Sequence, residues 1–430
     1  MTSFPAVARE GTPESAPRLV VRTIALDDED GSLIELLPDR QAIAWSRRGE
    51  GFAARGVAAR LDVSGRQRFA HASAWWKAIV RSAAVRDEVE IPGSGLVAFG
   101  SFAFDDTPGD STLIVPEIVV GRRGGRSFLT TITAEPALPQ VPSLAALRAV
   151  HPVRRPTGVA FADGAVTGTG YVTAVSEAVR RIGAGELDKV VLARDLLAVA
   201  TEPFDLREPL ARLAERYPAC WSYAIDGLFG ATPEMLVRLE NGLVTSRVLA
   251  GTIRRSDDDR HDLALAASLA RSSKDLEEHE YAVRSVAEAL EPYCSSMNVP
   301  ESPFVLHLPN VMHLATDLAG VVTDSFSSLD LAAALHPSAA VCGTPTPVAL
   351  RLIPELEQMD RGRYAGPVGW TDAAGNGEWG IALRCARLEP DDPTRLRLFA
   401  GCGIVADSVP AAELAEAQAK FVPIRDALQD

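Results

Sequence analysis

Two stretches far apart in the chain offer carboxylates at helical spacing. In SSKDLEEHEYAVRSV, which runs from Ser272 to Val286, Asp275 and Glu278 stand three residues apart. In SVPAAELAEAQAK, near the end of the sequence, Glu413 and Glu416 are again three apart, and Lys420 follows four further on. Such pairs share a helix face. Each borders an apolar stripe: Ala282, Val283, Val286 and Leu290 in the first segment, and Leu414, Ala417 and Phe421 in the second. An acid cluster on a helix is ordinarily solvated surface, and periodicity does not say that the two faces meet. If they meet, four carboxylates repel unless a divalent cation sits among them. Hard oxygen donors without a Cys or His set suit Mg2+. On that reading Glu277 and Glu280 remain plain solvated acids.

Single residues elsewhere add reactive types. Lys189 opens the apolar run VVL and is either a solvated strand flank or a general base. Glu234 follows ATP at the start of another strand and has the same two readings. Arg384 lies inside IALRCARL, where alternation puts it on a face with Ala382 and Ala386; a guanidinium beside small residues could reach a substrate carboxylate or form an edge ion pair. His313 in NVMHLAT is more often a satisfied interior histidine than a reacting one.

The elements that must position these groups are legible in outline. Short strands and a helix near Ser73 to Ala84 fill the region from Leu19 to Ile132, and GRRGGR (Gly121 to Arg126) reads as a hairpin turn between apolar segments. Prolines at 136, 139, 142, 152 and 156 mark a boundary. Segments 1–18, 19–156 and 157–430 are therefore read as a loose leader, an N-terminal part and a C-terminal core, and the last two could form one compact domain. After the boundary comes a helix with Val172, Val175, Val179 and Ile182 on one stripe, stopped by Gly183 and Gly185. A buried strand, LDKVVLARDLLAVA, follows. LFGATPEMLVRLENGLVTSRVLAGT reads as two strands turning at Asn241-Gly242, and a late hairpin turns at Asn376-Gly377. LRLFAGCGIV is a strand, and the last helix has Pro410 in its first turn. Strands come in hairpins without regular interleaving by helices, which favours α+β over a doubly wound sheet. The GCGIVA stretch imitates a dinucleotide fingerprint but lacks the second strand and distal acid that such a unit needs.

A length of 430 residues with 47% hydrophobic content supports a large core. The net charge of −14 argues against nucleic acid. Five widely spaced cysteines form no CxxC pair, so neither a disulfide framework nor a zinc site is indicated. No apolar run is long enough to span a membrane, and the N-terminal residues lack a signal-peptide pattern. A cytoplasmic location is expected.

The segments LDKVVLAR, GATPEMLVR, LAGTIRR, SSKDLEEHE, HLATDLAG, LHPSAAVCGTP, RYAGPVGWTDAAGNGEW, ALRCARL, FAGCGIV and SVPAAELAEAQAK occur in this order from Leu187 to Lys420. Together they resemble the chorismate-utilising enzymes, isochorismate synthases above all. The resemblance implies an α+β fold of two packed, mostly antiparallel sheets flanked by helices, four layers α/β/β/α, with a deep central cleft. It makes 157–430 the chorismate-binding catalytic core. Lys189 matches the base that activates water for attack at ring C2, and Glu234 the acid that protonates the departing C4 hydroxyl. Glu278 and Glu416 match Mg2+ ligands, supported by Asp275 and Glu413. Arg384 and Tyr364 match contacts to the enolpyruvyl carboxylate, and Lys420 and the backbone at Gly401 and Gly403 match further carboxylate contacts. Gly251 and Thr252 match a segment lining the ring, and His313 a cleft histidine near the reacting face. Chorismate is the implied substrate and Mg2+ the implied cofactor, with no nucleic-acid or membrane partner; a monomer is expected. The lysine is missing from relatives that deliver ammonia, so Lys189 points to water chemistry. Ala340 stands where pyruvate-eliminating relatives carry Thr, which favours a reaction that stops at isochorismate. Tyr364 is also found in the salicylate-forming branch, so salicylate synthesis stays an alternative, as does a non-catalytic chorismate-binding relative.

Overall fold

The computed structural model describes residues 16–27, 31–39, 41–148, 152–256, 258–308, 311–323 and 326–429, without the side chains of Asp259, Lys274 and Glu278. The expected leader, 1–18, lies outside the described residues except for its last three positions.

Two large sheets dominate. The 13-stranded sheet runs across Ala160–Asp163, Lys189–Val199, Asp392–Ile404, Cys385–Glu389, Leu228–Thr232, Trp221–Ile225, Ile43–Arg47, Glu50–Arg55, Ile118–Arg123, Arg126–Thr133, Val20–Leu26 and Ala84–Asp87, with Gly343–Thr344 added beside Lys189–Val199. The 10-stranded sheet runs across Cys294–Asn298, Val311–Val322, Leu243–Arg254, Met235–Glu240, Gly377–Ile381, Pro367–Asp372, Val97–Ser101, Ser111–Val115 and Ala59–Val63, with Phe304–His307 beside Val311–Val322. Neighbouring strands are antiparallel except Val20–Leu26 with Ala84–Asp87. This is the α+β architecture expected, and neither sheet closes into a barrel.

A shared apolar core joins the sheets. It holds Trp45 and Phe52 from the larger sheet and Phe99, Trp370 and Trp379 from the smaller. Phe52 meets Phe99 and Trp370 edge-on at 5.6 and 5.0 Å, and the Trp45 indole donates to Glu378 Oε2 at 2.7 Å across the layers. Helices cover the remaining faces. Ser273–Leu290 buries its expected stripe, Ala282, Val283, Val286 and Leu290, against the smaller sheet. Pro410–Leu428 buries Ala417 and Phe421 against the larger. The helix Gly168–Gly183 turns its stripe slightly from the expected one: Tyr171, Ala174, Val175, Ala178 and Ile182 are buried, while Val172 and Val179 sit at its margin. The larger Tyr171 draws the centre of the stripe toward itself.

One expectation about strands is corrected. The segment from Leu228 to Arg254 forms three strands, Leu228–Thr232, Met235–Glu240 and Leu243–Arg254. Pro233 lacks a backbone donor, and there the chain leaves the larger sheet and enters the smaller one. The turn after Met235–Glu240 is the expected Asn241-Gly242, with φ of 51° and 81°, the left-handed pair that a two-residue hairpin requires.

Candidate active site

Two passages between sheets create the site. The first puts Glu234 just after Pro233, at the end of the crossing. Its N–H donates to Thr232 Oγ1 at 3.2 Å, and its carbonyl accepts from Ile381 N at 3.1 Å. The second passage links Gly377–Ile381 of the smaller sheet to Cys385–Glu389 of the larger and carries Arg384. The strand alternation read for Arg384 is therefore wrong. It lies outside both strands at φ 48°, a strained conformation for a residue with a Cβ. The Arg384 carbonyl accepts from Ala231 N at 3.2 Å, and a Cβ at Gly230 would come within 2.6 Å of that oxygen. Glycine at 230 thus lets the crossing close. Among the described residues the Arg384 guanidinium pairs with no carboxylate.

Lys189 begins the strand Lys189–Val199 and is buried, its backbone paired with Thr344. Across the same sheet, Ala193 faces Gly401 and Val191 faces Gly403. A Cβ at Gly401 would sit 2.4 Å from Leu192 O, so this wall must be bare backbone.

The smaller sheet supplies the opposite wall. The register of Leu243–Arg254 against Val311–Val322 slips between Ala250 and Thr252. Gly251 fills the bulge at φ 77° and touches the helix Ser273–Leu290: a Cβ there would lie 3.1 Å from Asp275 Cβ. His279, one helical turn beyond Asp275, pins this junction by Nδ1 to Ala250 O at 3.3 Å and Nε2 to Thr316 Oγ1 at 2.7 Å. The Ser272 hydroxyl caps the helix by accepting from Asp275 N at 3.3 Å. Thr252 Oγ1 is 2.9 Å from His313 Nδ1, and His313 Nε2 is buried without a partner among the described residues.

The final helix brings the second acid pair. One ligand atom each from Cys402, Glu413 and Glu416 lies within 4.8 Å of the others. Lys420 Nζ sits 2.7 Å from Glu416 Oε1 and donates to Gly401 O at 2.9 Å. The Tyr364 ring stacks on Phe399 at 5.2 Å.

These groups line one cavity of about 240 Å3. It gathers Lys189, Glu234, Gly251, Thr252, Asp275, His313, Ala340, Tyr364, Arg384, Gly401, Gly403, Glu413, Glu416 and Lys420. The Glu278 side chain lies outside the described residues; its backbone is in the same helix, three residues after Asp275. Glu277 and Glu280 are exposed, as plain solvated acids would be. The cavity also takes in Arg361, Phe399 and Ser408, which sequence reasoning did not single out. Phe399 had no signal beyond strand hydrophobicity. Arg361 sits two residues before RYAGPVGW, in DRGR, where three charges in four residues look like surface.

Burial sets the charge states. It pushes the Glu234 carboxyl up to about 8, against the opposing pull of Lys189, Arg384 and Lys420. Glu234 therefore holds a proton at neutral pH and can act as an acid. Burial, together with Arg384 and Lys420, drives His313 down to about 3. Its ring is neutral: it can orient a partner by a hydrogen bond but does not act as a charged acid. Burial raises the Tyr364 phenol and keeps it protonated. Burial alone would raise Glu416, but the Lys420 charge and hydrogen bond outweigh it and the group is lowered; Lys420 is raised because Cys402 and Glu416 outweigh its own burial. Burial pushes the Cys402 thiol up to about 12, and its Sγ–H donates to Glu413 O at 3.4 Å. Beside it Glu413 and Glu416 offer carboxylate oxygens, and Asp275 also lines the cavity. The set fits a hard, oxygen-seeking cation such as Mg2+.

A sequence model described as "Chorismate binding enzyme" matches residues 34–429. The chain is 42% identical over 263 residues to isochorismate synthase DhbC of Bacillus subtilis, a match that covers 58% of this chain and 65% of that protein. It is 36% identical over 445 residues to the salicylate biosynthesis isochorismate synthase of Pseudomonas aeruginosa, covering 96% of this chain and 90% of that one. Among solved structures, the menaquinone-specific isochorismate synthase MenF of Escherichia coli superposes with a TM-score of 0.78 at 25% identity, over 96% of this chain and 95% of that one. DhbC from Bacillus anthracis gives 0.75 at 31% identity, over 92% and 98%. A family match over nearly the whole length, on a fold in which two of the sheet crossings deliver an acid and a cation to one cavity, makes this chain a member of the chorismate-binding enzymes.

Proposed function

We propose that the chain converts chorismate to isochorismate with Mg2+ as cofactor. The observation that carries this reading is the single cavity that sets buried, protonated Glu234 together with Lys189, beside a separate group of carboxylates. Lys189 accepts a proton from water as the oxygen attacks ring C2. The ring double bonds shift, and Glu234 gives its proton to the C4 hydroxyl, which leaves as water. One water enters and one leaves, so the reaction is an isomerisation. Arg384 and Lys420 face the two carboxylates of the substrate, offsetting the repulsion that Glu413, Glu416 and Asp275 would exert on a dianion. Asp275, Glu413 and Glu416, with Glu278, would hold Mg2+, which when bound draws electron density toward the ring carboxylate and eases attack at C2. His313 and Thr252 orient the ring by hydrogen bonds, and Tyr364, stacked on Phe399, contacts the enolpyruvyl carboxylate. Ala340 offers no hydroxyl to the cavity, which favours release of isochorismate without loss of pyruvate.

Among the described residues no helix is long and apolar enough to cross a membrane, and the five cysteines are free thiols. A monomer working in a reducing cytoplasm fits both. Chromatography of the products of purified protein with chorismate tests the function. Isochorismate is expected, with formation stopped by a metal chelator and restored by Mg2+. Lys189→Ala and Glu234→Ala are each expected to lower turnover by roughly 10^2–10^4-fold. Salicylate and pyruvate as main products, or turnover near wild type in both variants, would overturn the reading.

A further inference from the structure

The strand that carries Lys189 has a gap along one edge. Gly343–Thr344 pairs with Lys189 and Val190, and Ala160–Asp163 pairs with residues from Leu196 to Val199. Between them, among the described residues, no strand lies beside the edge. Four of its backbone groups are bonded all the same, in keeping with the cost of leaving a buried polar group unpaired. Val191 N donates to Cys342 O at 2.8 Å, and Gly164 N donates to Asp195 O at 3.1 Å. The middle of the gap is closed by two charged side chains. Glu357 Oε1 accepts from Ala193 N at 2.6 Å, and Arg361 Nη2 donates to Val191 O at 2.7 Å.

Glu357 and Arg361 are also a buried ion pair, at 2.5 and 3.0 Å, with side chains 1% and 3% exposed. Glu357 is the last residue of the helix Thr346–Glu357, so the pair ties that helix to the strand. The reach of Arg361 extends further. Its Nη1 donates to Val341 O at 3.0 Å, next to Ala340. Its guanidinium lies 4.3 Å above the Phe104 ring and 6.0 Å from Tyr364, whose N–H bonds to the Arg361 carbonyl at 3.0 Å. Arg361 thus ties together the strand two residues after Lys189, the turn holding Ala340 and, through its own carbonyl, the segment holding Tyr364.

We propose that Glu357 and Arg361 are positioning residues: acting as a substitute strand, the pair fixes where Lys189 stands relative to the Ala340 turn and Tyr364. The proposal rests on the assignment of Lys189 as the base. Buried ion pairs are weak contributors to net stability compared with apolar packing, while a planar fork that satisfies three carbonyl and carboxylate partners at fixed angles is not replaceable by an ammonium. The mispositioning of a reacting group by about 1 Å can cost on the order of 10^2 in rate.

The test compares two conservative exchanges in buried ion pairs. Arg361→Lys keeps the charge and loses the fork. Arg207→Lys does the same in the Asp205–Arg207 pair, closed at 2.6 Å and outside the cavity lining. For Arg361→Lys, kcat is expected to fall roughly 10–100-fold, with the KM for chorismate and the Mg2+ requirement changed less than about threefold. For Arg207→Lys, kcat is expected to stay near wild type, whatever its melting temperature does. Arg361→Ala is expected to regain part of its kcat in millimolar guanidinium, since Arg361 also borders a second cavity, lined by Phe104, Ile353 and Met359. The proposal is overturned if Arg361→Lys keeps wild-type kcat, if its loss follows only the unfolded fraction as in Arg207→Lys, or if KM alone changes. Wild-type protein that leaves chorismate unchanged would instead defeat the assigned function, so the two failures are distinguishable.

Discussion

Glu234 shows how one residue can be useful and costly at once. In the fold it keeps its proton up to about pH 8, while in an unfolded chain it loses it near its ordinary value of 4.5. Between those values the unfolded state binds fewer protons, so this residue makes stability fall as pH rises through that window. Below pH 4.5 both states are protonated and the effect vanishes. Glu234→Gln keeps the shape without the titration. It is expected to be nearly inactive and yet more stable than wild type at pH 8 and above, on the order of 3–5 kcal/mol. Denaturant unfolding at pH 5 and pH 8.5 checks this; a difference between the variants that does not grow with pH would refute it. Wild-type activity should also fall on the alkaline side as Glu234 ionises. At this scale the sequence was informative about residue types but not about charge. The four acids from Asp275 to Glu280 look alike in a string of letters. Only packing separates exposed Glu277 and Glu280 from Asp275, which lines the cavity, and only burial makes Glu234 an acid.

At the scale of elements, the helices were readable because their stripes repeat and their caps are local. The stripe from Ala282 to Leu290 is visible without tertiary knowledge. The sheet crossings were not. Glu234 and Arg384 sit in apolar runs that read as continuous strands, and nothing local announces that the chain changes sheet there. The bulge at Gly251 was equally hidden, although its glycine is a hint. Its consequence can be tested. At φ 77°, with Asp275 3.1 Å from a would-be Cβ, Gly251→Ala must strain the backbone or push the helix away. A stability loss of about 1–3 kcal/mol is expected, together with a raised Mg2+ requirement because Asp275 moves. Calorimetry and a Mg2+ titration of the activity would check both. An unchanged metal requirement would separate the bulge from the acids.

At the scale of the molecule, the proline-marked boundary between 136 and 156 suggested two parts. Strands from the two sides of it form separate blocks that join edge to edge in each sheet: Ile43–Arg47 pairs with Trp221–Ile225 in the larger sheet, and Val97–Ser101 with Pro367–Asp372 in the smaller. We therefore read 19–156 and 157–430 as one cooperative unit, since neither sheet is complete without both. A fragment of 157–430 alone would expose the edges facing Ile43–Arg47 and Val97–Ser101 and the apolar surfaces beneath them. It is expected to aggregate or remain unfolded, whereas the full chain should melt in a single transition by both fluorescence and circular dichroism. Two separated transitions would contradict this. Such long-range pairing could not be read from one sequence, because hairpin signals are local and say nothing of which hairpins become neighbours.

The two sheet crossings that carry Glu234 and Arg384 also govern which changes this scaffold tolerates. A strand alternates its side chains between faces, so one residue added or removed inverts everything downstream until the next turn. An insertion at the hairpin tips, such as Gly124-Gly125 or Asn241-Gly242, would lengthen a loop and leave the alternation intact. The same single insertion at Pro233 or Leu383 would turn Met235–Glu240 or Cys385–Glu389 inside out and carry Glu234 or Arg384 with it. Length variation should therefore accumulate at the rims of this architecture and be barred from its two pivots.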